Sequence, residues 1–363
     1  MSECTVFDLL SKLNTKKSCG PDMVPTFIYK SCAHIIVNTL TRLFNNCVAS
    51  SCFPRLWKQA HVVSIPNCHN PTMHDLRPIS LLTVPSKLFE RIVFNSLKDR
   101  FYFNFDVNQF GYRPNSSTTC ALIKFHNHVT RFYDCLSVRS IQICALDYTK
   151  AFDCLDHNVI IQKLINCDFP YCFVKLMYSY LSNRSQCVRL NHSLSNFSIV
   201  TSGVPQGSIL GPSLFALVMA DLRSIHSDTC MVKYADDLVL IIPIYLSVNH
   251  VMEEISNIRQ WSLSKGLELN DRKCKYMLFS RSTDCNPVHI PHFVFCTRMK
   301  LLGVHFSNDF KWDFHFNTTS ITANRRAFAF RVLKPLFSIN ELVTLYKSII
   351  LSILEYCFPL LSA

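Results

Sequence analysis

Two adjacent carboxylates, Asp236 and Asp237, follow Tyr234 and Ala235 at a point where two apolar, β-type segments meet. Residues 230–233 and 238–242 have the composition of paired strands, which predicts a hairpin with both acids at its tip. Carboxylates held this close repel each other, and a divalent cation is their natural counter-charge. A solvated acidic turn has the same local pattern, so this turn alone leaves both interpretations open.

A third acid, Asp147, directly follows residues 140–146, which have the pattern of a buried strand. An Asp at the end of a strand can also simply cap the segment that follows it. If a sheet brings this strand end beside the hairpin tip, Asp147 and Asp236 can converge on a pair of Mg²⁺ ions. Two such ions clamp the attacking and leaving oxygens in phosphoryl transfer. A compact antiparallel sheet would position the acids in this way.

Glycine is scarce, with 7 residues in 363, yet Gly203, Gly207 and Gly211 lie within nine positions. They lie in a loop over residues 201–212, which leads into an apolar segment over residues 213–221. Pro212 is suited to the first position of a helix there. A glycine-bearing loop that feeds a helix lets the backbone approach a ligand closely. A tight turn before a core helix is the alternative interpretation.

The composition is that of a globular protein of two or three subdomains, with 49% hydrophobic and 17% charged residues. The net charge of +12 favours a polyanionic partner, nucleic acid or an acidic membrane, over a basic protein with neither. The longest apolar runs, 214–220 and 238–242, are shorter than the roughly 18 residues of a membrane helix, so we expect no membrane partner. The 18 cysteines form no Cys-x-x-Cys pair, which favours reduced thiols and an intracellular location, nucleus or cytoplasm.

Eight segments, in order along the chain, resemble the reverse transcriptases of non-long-terminal-repeat (LINE-type) retrotransposons. The resemblance covers about residues 10–355 and includes all seven glycines. The matching segments are 20–25, 76–82, 109–113, 146–153, 203–212, 234–237, 266–270 with 273–274, and 301–304.

This resemblance implies an RNA-directed DNA polymerase that adds deoxynucleotides to a primer 3′-hydroxyl by two-metal phosphoryl transfer. The implied partners are an RNA template, a DNA primer and deoxynucleoside triphosphates. The implied cofactor is two Mg²⁺ ions, with Mn²⁺ as an alternative. Their ligands would be Asp147, the Tyr148 carbonyl, Asp236 and Asp237. Lys273 is the candidate for protonating pyrophosphate, and Lys275 stays open as a substitute on the same face if that segment is extended.

The same resemblance assigns nucleotide contacts. Phe152 would exclude a sugar 2′-hydroxyl, which favours DNA over RNA as the product, although it can also be an ordinary core Phe. Leu302 and Gly303 would form the hairpin that grips the primer. The remaining candidates for the nucleotide site are Tyr148, Gln206 and Gly207 with four basic residues of the fingers, Arg77, Lys87, Arg91 and Arg113, among which the sequence does not choose.

The expected fold is α+β, a right-hand polymerase with fingers, a palm of antiparallel sheet and a partial helical thumb. We assign residues 1–135 to the fingers, 136–315 to the palm with a helical insertion at about 155–200, and 316–363 to the thumb. A helical period over 321–361 places Arg325, Arg326, Arg331 and Lys334 on a basic face, which suits a duplex backbone or plain solvent. About 20 residues precede the first motif and the chain ends at Ala363, so we expect no endonuclease, no zinc knuckle and reduced processivity. A catalytically idle retroelement relic that only binds nucleic acid is the alternative.

Overall fold

The computed structural model describes residues 1–66, 76–191, 193–246, 249–282 and 285–361. The chain packs as two compact units, each assembled from segments that are distant in sequence. Unit 1 contains Met1–Asp106, Lys150–Leu222 and Ser262–Glu268, and unit 2 contains Val107–Thr149, Arg223–Trp261 and Leu269–Ala363. The subdomain boundaries assigned from the sequence remain predictions.

The elements are numbered in chain order. The helices are α1 (Glu3–Ser11), α2 (Thr26–Ser31), α3 (Ala33–Ser50), α4 (Val84–Asn104), α5 (Thr118–Asp134), α6 (Ala151–Cys154), α7 (His157–Asn166), α8 (Tyr171–Leu181), α9 (Gly211–Met219), α10 (Val251–Ser264), α11 (Asp313–Leu333), α12 (Ile339–Tyr346), α13 (Ser352–Leu354) and α14 (Phe358–Leu361). The strands are β1 (Gln59–Pro66), β2 (Leu76–Leu81), β3 (Ser140–Leu146), β4 (Arg184–Leu190), β5 (Ser193–Leu194), β6 (Ser198–Val200), β7 (Cys230–Tyr234), β8 (Asp237–Ile244), β9 (Lys275–Ser280), β10 (Val294–Phe295), β11 (Arg298–Leu301) and β12 (Val304–Ser307).

Unit 2 is built on a five-stranded sheet in the order β10-β9-β3-β8-β7, antiparallel except for the β10–β9 pair. The central strand β3 is buried along nearly its whole length because both of its faces are covered. Helix α5 buries Leu122, Phe125 and Val129 in the same core as Ile143 and Ile241. The α+β class and the antiparallel sheet predicted for the palm are therefore confirmed.

Unit 1 contains a second sheet in the order β2-β1-β4-β5, with β6 paired to β4. Its core includes a cluster of aromatic rings in edge and tilted contacts, formed by Phe44, Phe53, Trp57, Phe89 and Tyr180. In the stretch 155–200, expected to be helical, the helices end at Leu181 and β4 to β6 follow. The reason is that Gln59–Val62 on β1 and Ser185–Val188 on β4 complete a parallel ladder.

The C-terminal region is helical but less continuous than the period over 321–361 predicted. Helix α11 begins earlier, at Asp313, and a 3₁₀ turn over Lys334–Leu336 ends it. Ser338 and Glu341 then form a capping box that starts α12 as a separate helix. A π-helical turn over Lys347–Leu351 joins α12 to α13. Cys357, with a φ of +58°, separates α13 from α14.

Within the described residues, one helical segment is long and apolar enough to cross a membrane by length and composition. It is Ile339–Leu361, with a mean hydropathy of 1.4 and 11% of its apolar stretch buried. Glu341, Lys347 and Glu355 lie inside it, so it contains no long uninterrupted apolar run. A single such segment carries little weight, and the bend at Cys357 interrupts it. The absence of a membrane partner remains a prediction.

Candidate active site

The predicted acidic hairpin is present in unit 2. Tyr234 on β7 pairs with Asp237 on β8, and Ala235 and Asp236 form a two-residue turn between them. On the other side of β8, Leu146 of β3 pairs with Leu238, so the register places Asp147 opposite Asp237. Backbone pairing alone therefore brings the strand end and the hairpin tip to the same edge of the sheet.

Five of the predicted site residues line one cavity of about 620 Å³ in unit 2. They are the acids Asp147 and Asp237, the candidate proton donor Lys273, and the predicted primer-grip residues Leu302 and Gly303. Leu302 and Gly303 are the turn of the β11–β12 hairpin, with φ angles of +44° and +92°. The cavity wall is otherwise largely apolar, with Leu122, Phe125, Val232, Val239 and Met299. Residues from four separate motifs thus meet in one space.

The donor set suits a hard divalent cation, because Asp147, Asp236 and Asp237 offer only carboxylate oxygens. Their ligand atoms do not all lie within 4.8 Å of one another. Convergence on a cation would require rotation of exposed Asp237 and half-buried Asp236. The chemistry of the donors fits Mg²⁺, while the side-chain positions would adjust on binding.

The turn itself is held by Gln109, a residue that the sequence reasoning did not single out as functional. Its fully buried amide donates from Nε2 to the Ala235 carbonyl (3.1 Å) and accepts at Oε1 from the Ala235 N–H (2.9 Å) and the Gly111 N–H (2.9 Å). Ala235 has a φ of +57°, which a non-glycine residue adopts only when its surroundings impose it. A Cβ on Gly111 would lie 2.4 Å from the Ala235 nitrogen, so only glycine permits this approach. The feature of the sequence that could have indicated this role is the motif at 109–113.

Tyr112 of the same motif lies near the acidic pair. Burial, followed by the negative charges of Asp236, Tyr234 and Asp237, raises the pKa of Tyr112 to about 12. The phenol therefore keeps its proton at neutral pH beside these carboxylates. Arg113, predicted to meet the triphosphate, is half-buried and belongs to unit 2.

The segment after β3 is fixed by backbone bonds to the segment before β9. The Asp147 carbonyl accepts from the Asn270 N–H at 2.8 Å, and Tyr148 forms a bridge with Leu269. Lys273 lies in the turn that follows Asn270, whereas Lys275 begins β9. The segment is therefore not extended at Lys273, so the condition under which Lys275 would share its face is not met. Both still line the cavity.

The predicted nucleotide contacts Phe152, Gln206 and Gly207 lie in unit 1. The Phe152 ring stacks on fully buried Phe215, with centroids 4.5 Å apart and planes at 24°. Gln206 donates from Nε2 to both carboxylate oxygens of Asp153, at 3.1 and 3.0 Å. Gly207 has a φ of +119°, and a Cβ there would lie 2.7 Å from the Ser80 carbonyl oxygen. The requirement for glycine at this position thus comes partly from packing on β2.

Fully buried Glu90 on α4 anchors the far end of the same loop. It accepts from the Ile209 N–H (2.8 Å) and the Leu210 N–H (3.2 Å), two donors at the start of α9 that have no partner within the helix. Burial raises the pKa of Glu90 although these N–H donors lower it. One turn before it, burial lowers the pKa of half-buried Lys87. The two remaining basic candidates of unit 1 are exposed, Arg77 on β2 and Arg91 on α4.

A separate cluster in unit 2 joins residue types that bind transition metals. Glu253 contacts His226 Nε2 at 2.7 Å and His250 Nδ1 at 3.4 Å. The two imidazole rings are stacked, with centroids 3.5 Å apart and planes at 15°. Both ring nitrogens contact the same carboxylate oxygen, Glu253 Oε2, so the cluster ties the segment before β7 to the start of α10.

The family model described as reverse transcriptase (RNA-dependent DNA polymerase) matches residues 65–306, more than half of the chain. The chain belongs to this family. The match contains Asp147, Phe152, Gln206, Asp236, Lys273 and Gly303, and members of the family generally depend on a divalent metal. The roles of the individual residues remain proposals.

Several curated relatives come from mobile elements of Drosophila melanogaster. A probable RNA-directed DNA polymerase from transposon BS is 29% identical over 79% of this chain and 33% of that protein. The RNA-directed DNA polymerase from mobile element jockey is 27% identical over 97% of this chain and 40% of that protein. These similarities confirm the resemblance to LINE-type reverse transcriptases. The chain spans well under half the length of these relatives.

Among solved structures, apo telomerase from Candida tropicalis matches with a TM-score of 0.49 and 11% identity, over 77% of this chain and 53% of that one. The same enzyme in complex with a fragment of telomeric RNA matches with a TM-score of 0.49 and 12% identity, over 77% of this chain and 49% of that one.

Proposed function

We propose that this chain is an RNA-directed DNA polymerase that extends a DNA primer on an RNA template with deoxynucleoside triphosphates. The observation that carries the proposal is the cavity of unit 2, where Asp147, Asp237 and Lys273 share one space with the Leu302–Gly303 turn. Carboxylates for metal ions, a cationic proton donor and a backbone turn are the groups that nucleotidyl transfer to a primer end requires. The cysteines of the described residues are all free, in keeping with a proposed location in nucleus or cytoplasm.

Two Mg²⁺ ions, or Mn²⁺, would be held by Asp147, Asp236 and Asp237 with the Tyr148 carbonyl. When bound they would lower the pKa of the primer hydroxyl and neutralise charge on the phosphates. The protein's own part is positional, because the register of β3 against β8 and the Gln109 amide fix where the carboxylates stand. Exposed Lys273 would deliver a proton to the leaving pyrophosphate.

Phe152, Gln206, Gly207 and the basic residues Arg77, Lys87, Arg91 and Arg113 are proposed to bind the incoming nucleotide. A ring at Phe152, backed by Phe215, leaves no polar partner for a 2′-hydroxyl. The exposed basic side chains on α11, Arg325, Arg326 and Arg331, are proposed to meet the duplex backbone.

The test is extension of a DNA primer on an RNA template by the full chain with Mg²⁺, compared with Asp236→Asn. Loss of a carboxylate ligand is worth several kcal/mol, so extension should fall on the order of 1,000-fold or more. Template binding, measured by fluorescence anisotropy, should stay within about twofold. The matched control is Asp134→Asn, which removes the same charge from an exposed acid at the end of α5 and should extend normally.

A second readout does not depend on turnover. Binding of Mn²⁺, followed by its paramagnetic resonance signal, should weaken in Asp236→Asn and not in Asp134→Asn. Extension by Asp236→Asn at the parent rate would refute the assigned site. A parent that binds template but never extends the primer would identify the chain as the idle relic.

A further inference from the structure

A dense set of hydrogen bonds joins residues 152–157, after the first catalytic acid, to residues 202–206 of the glycine-bearing loop. Both segments lie in unit 1, and we call this set the clamp. The backbone bonds are Val204 N–H to the Phe152 carbonyl and Gly203 N–H to the Leu155 carbonyl, both 2.7 Å. The Ser202 hydroxyl also donates to the Asp153 carbonyl at 3.0 Å. The clamp therefore fixes the backbone that carries Phe152 against the backbone that carries Gln206.

His157 contributes one side-chain bond to the clamp. Its Nε2 lies 2.7 Å from the Gly203 carbonyl oxygen, which only accepts, so Nε2 carries the proton. Burial lowers the pKa of His157, so the ring is neutral at pH 7 and Nδ1 is the unprotonated nitrogen. This bond orients the loop at Gly203 but leaves the Gln206 side chain to another residue.

Asp153 determines how the Gln206 amide is turned. A carboxylate offers only acceptors, so the amide must point its NH₂ group toward Asp153, as the distances of 3.1 and 3.0 Å require. The carbonyl Oε1 is thereby directed away from Asp153. The two ends of a glutamine amide are nearly equal in size, so without such a partner either end can face a ligand.

The pair is well supported for this role. Asp153 and Gln206 are both half-buried, which limits competition from water. Burial raises the pKa of Asp153, while the bond from Gln206 and the charge of Lys150 lower it. Asp153 follows Phe152 directly in the chain, so the pair lies beside the residue proposed to meet the sugar.

We propose that Asp153 is a positioning residue that holds the Gln206 amide in one orientation, so that the Gln206 carbonyl accepts a hydrogen bond from the incoming nucleotide beside Phe152. This rests on the proposed function, since it assigns Gln206 to the nucleotide site. A hydroxyl or amino donor of the correct nucleotide is recognised by an oxygen whose position Asp153 fixes.

The experiment compares Asp153→Asn with Asp156→Asn in steady-state extension assays with deoxy- and ribonucleotides. The asparagine introduced by Asp153→Asn presents an oxygen as well as an NH₂ group, so the Gln206 amide can turn either way. We expect the KM for deoxynucleotides to rise about tenfold and kcat to change less than about twofold, while discrimination against ribonucleotides persists because the Phe152 ring is unchanged. Asp156 caps α7 with a bond from the Asn158 N–H, and an asparagine keeps that cap, so Asp156→Asn loses the same charge without these effects.

A double-mutant cycle protects the test against misfolding of one variant. Gln206→Met removes the amide at nearly constant volume and should raise KM by a similar factor. Adding Asp153→Asn to Gln206→Met should then change nothing further, because Asp153 acts through Gln206. Independent, multiplying effects, or equal kinetics in Asp153→Asn and Asp156→Asn, would overturn the proposal. A parent that fails to extend any primer would instead refute the proposed function, which the parent assay reports separately.

Discussion

The acidic turn of unit 2 and the glycine-bearing loop of unit 1 are held in place by different means. Asp147 and Asp237 are positioned by a continuous antiparallel ladder from β3 to β8 and β7. The loop over 203–212 has no such ladder. Three separate backbone bonds, from Gly203, from Val204 and to the Gln206 carbonyl, hold it together with the side chains of Glu90, Asp153 and His157. A ladder distributes the stabilisation over many equivalent bonds, whereas the loop depends on a few single bonds and on individual side chains.

The comparison has one exception inside the ladder. The turn at Ala235 has a left-handed φ that strand pairing does not supply, and the Gln109 amide closes around it. Strand pairing therefore positions the acids on either side of the turn, and the Gln109 side chain holds Ala235, where the backbone departs from sheet geometry. The difference suggests that substitutions in the loop act mainly on nucleotide affinity, while Gln109 acts on the chemical step.

Among the variants that test this comparison, Gln109→Leu should lower the rate of extension most. A small effect would contradict the comparison. Leucine leaves the buried N–H groups of Ala235 and Gly111 without an acceptor, at about 1–3 kcal/mol each, so the turn should shift. A displacement near 1 Å costs about 100-fold in rate, and we expect kcat to fall by about that factor. Single-turnover extension and Mn²⁺ binding measure the two consequences.

The matched control is Gln142→Leu in the same unit. Gln142 is also fully buried and also holds one residue at both backbone groups, donating to the Val288 carbonyl and accepting from the Val288 N–H, each at 2.8 Å. Loss of stability should be similar in the two variants, as judged by Tm. Only Gln109→Leu should weaken Mn²⁺ binding, and equal weakening in both would show that general destabilisation is the cause.

Phe152→Ala tests the part of the comparison that concerns unit 1, where Phe152 is hydrogen-bonded to the glycine-bearing loop. Removing the ring opens space for a 2′-hydroxyl, so discrimination against ribonucleotides should fall by about 10- to 100-fold, while extension with deoxynucleotides persists. Phe310→Ala serves as control, because Phe310 is also half-buried and packs on a buried ring, Phe279, at 4.3 Å. Unchanged selectivity in Phe152→Ala would remove this residue from the sugar site.

Much of the turn was predictable from the sequence, and little of the loop was. Strand patterns at 140–146 and 230–242 are local, and the antiparallel pairing that brings Asp147 to Asp237 is the simplest way to bury both. The scarcity of glycine correctly marked Gly207, whose φ and approach to Ser80 require it. Strand β4 was missed because its partner β1 lies more than 100 residues away.

The supporting residues were missed for a related reason. Glu90 lies in a helical segment and Gln109 in a motif, and neither pattern indicates what the side chain binds. Their roles depend on contacts with residues about 120 positions away. Asp153 stood beside Phe152 but its partner Gln206 is 53 positions later. Polar side chains that satisfy distant backbone groups carry no periodic signal, so only the tertiary structure reveals them.

Glu90→Gln should give the smallest effect and decides whether the loop truly depends on single carboxylates. The Ile209 and Leu210 N–H groups both donate to one oxygen, Oε2, and the Ser86 hydroxyl contacts the other, so glutamine can keep both bonds but loses the negative charge that strengthens them. The loop should loosen at the start of α9, and we expect the KM for deoxynucleotides to rise about fivefold, with kcat nearly unchanged.

The control for Glu90→Gln is Glu254→Gln in unit 2. Glu254 is fully buried and likewise accepts from two consecutive N–H groups, Ile225 and His226, but no predicted nucleotide contact lies on that segment. Both variants should lose stability, and only Glu90→Gln should raise KM.

Because the pKa of Glu90 is raised above its ordinary 4.5, its contribution to stability is present below that pH and lost as the pH rises through the folded-state pKa. Glu90→Gln should therefore flatten the dependence of Tm on pH above 4.5, and an unchanged slope would mean that Glu90 does not titrate in the way its buried position requires.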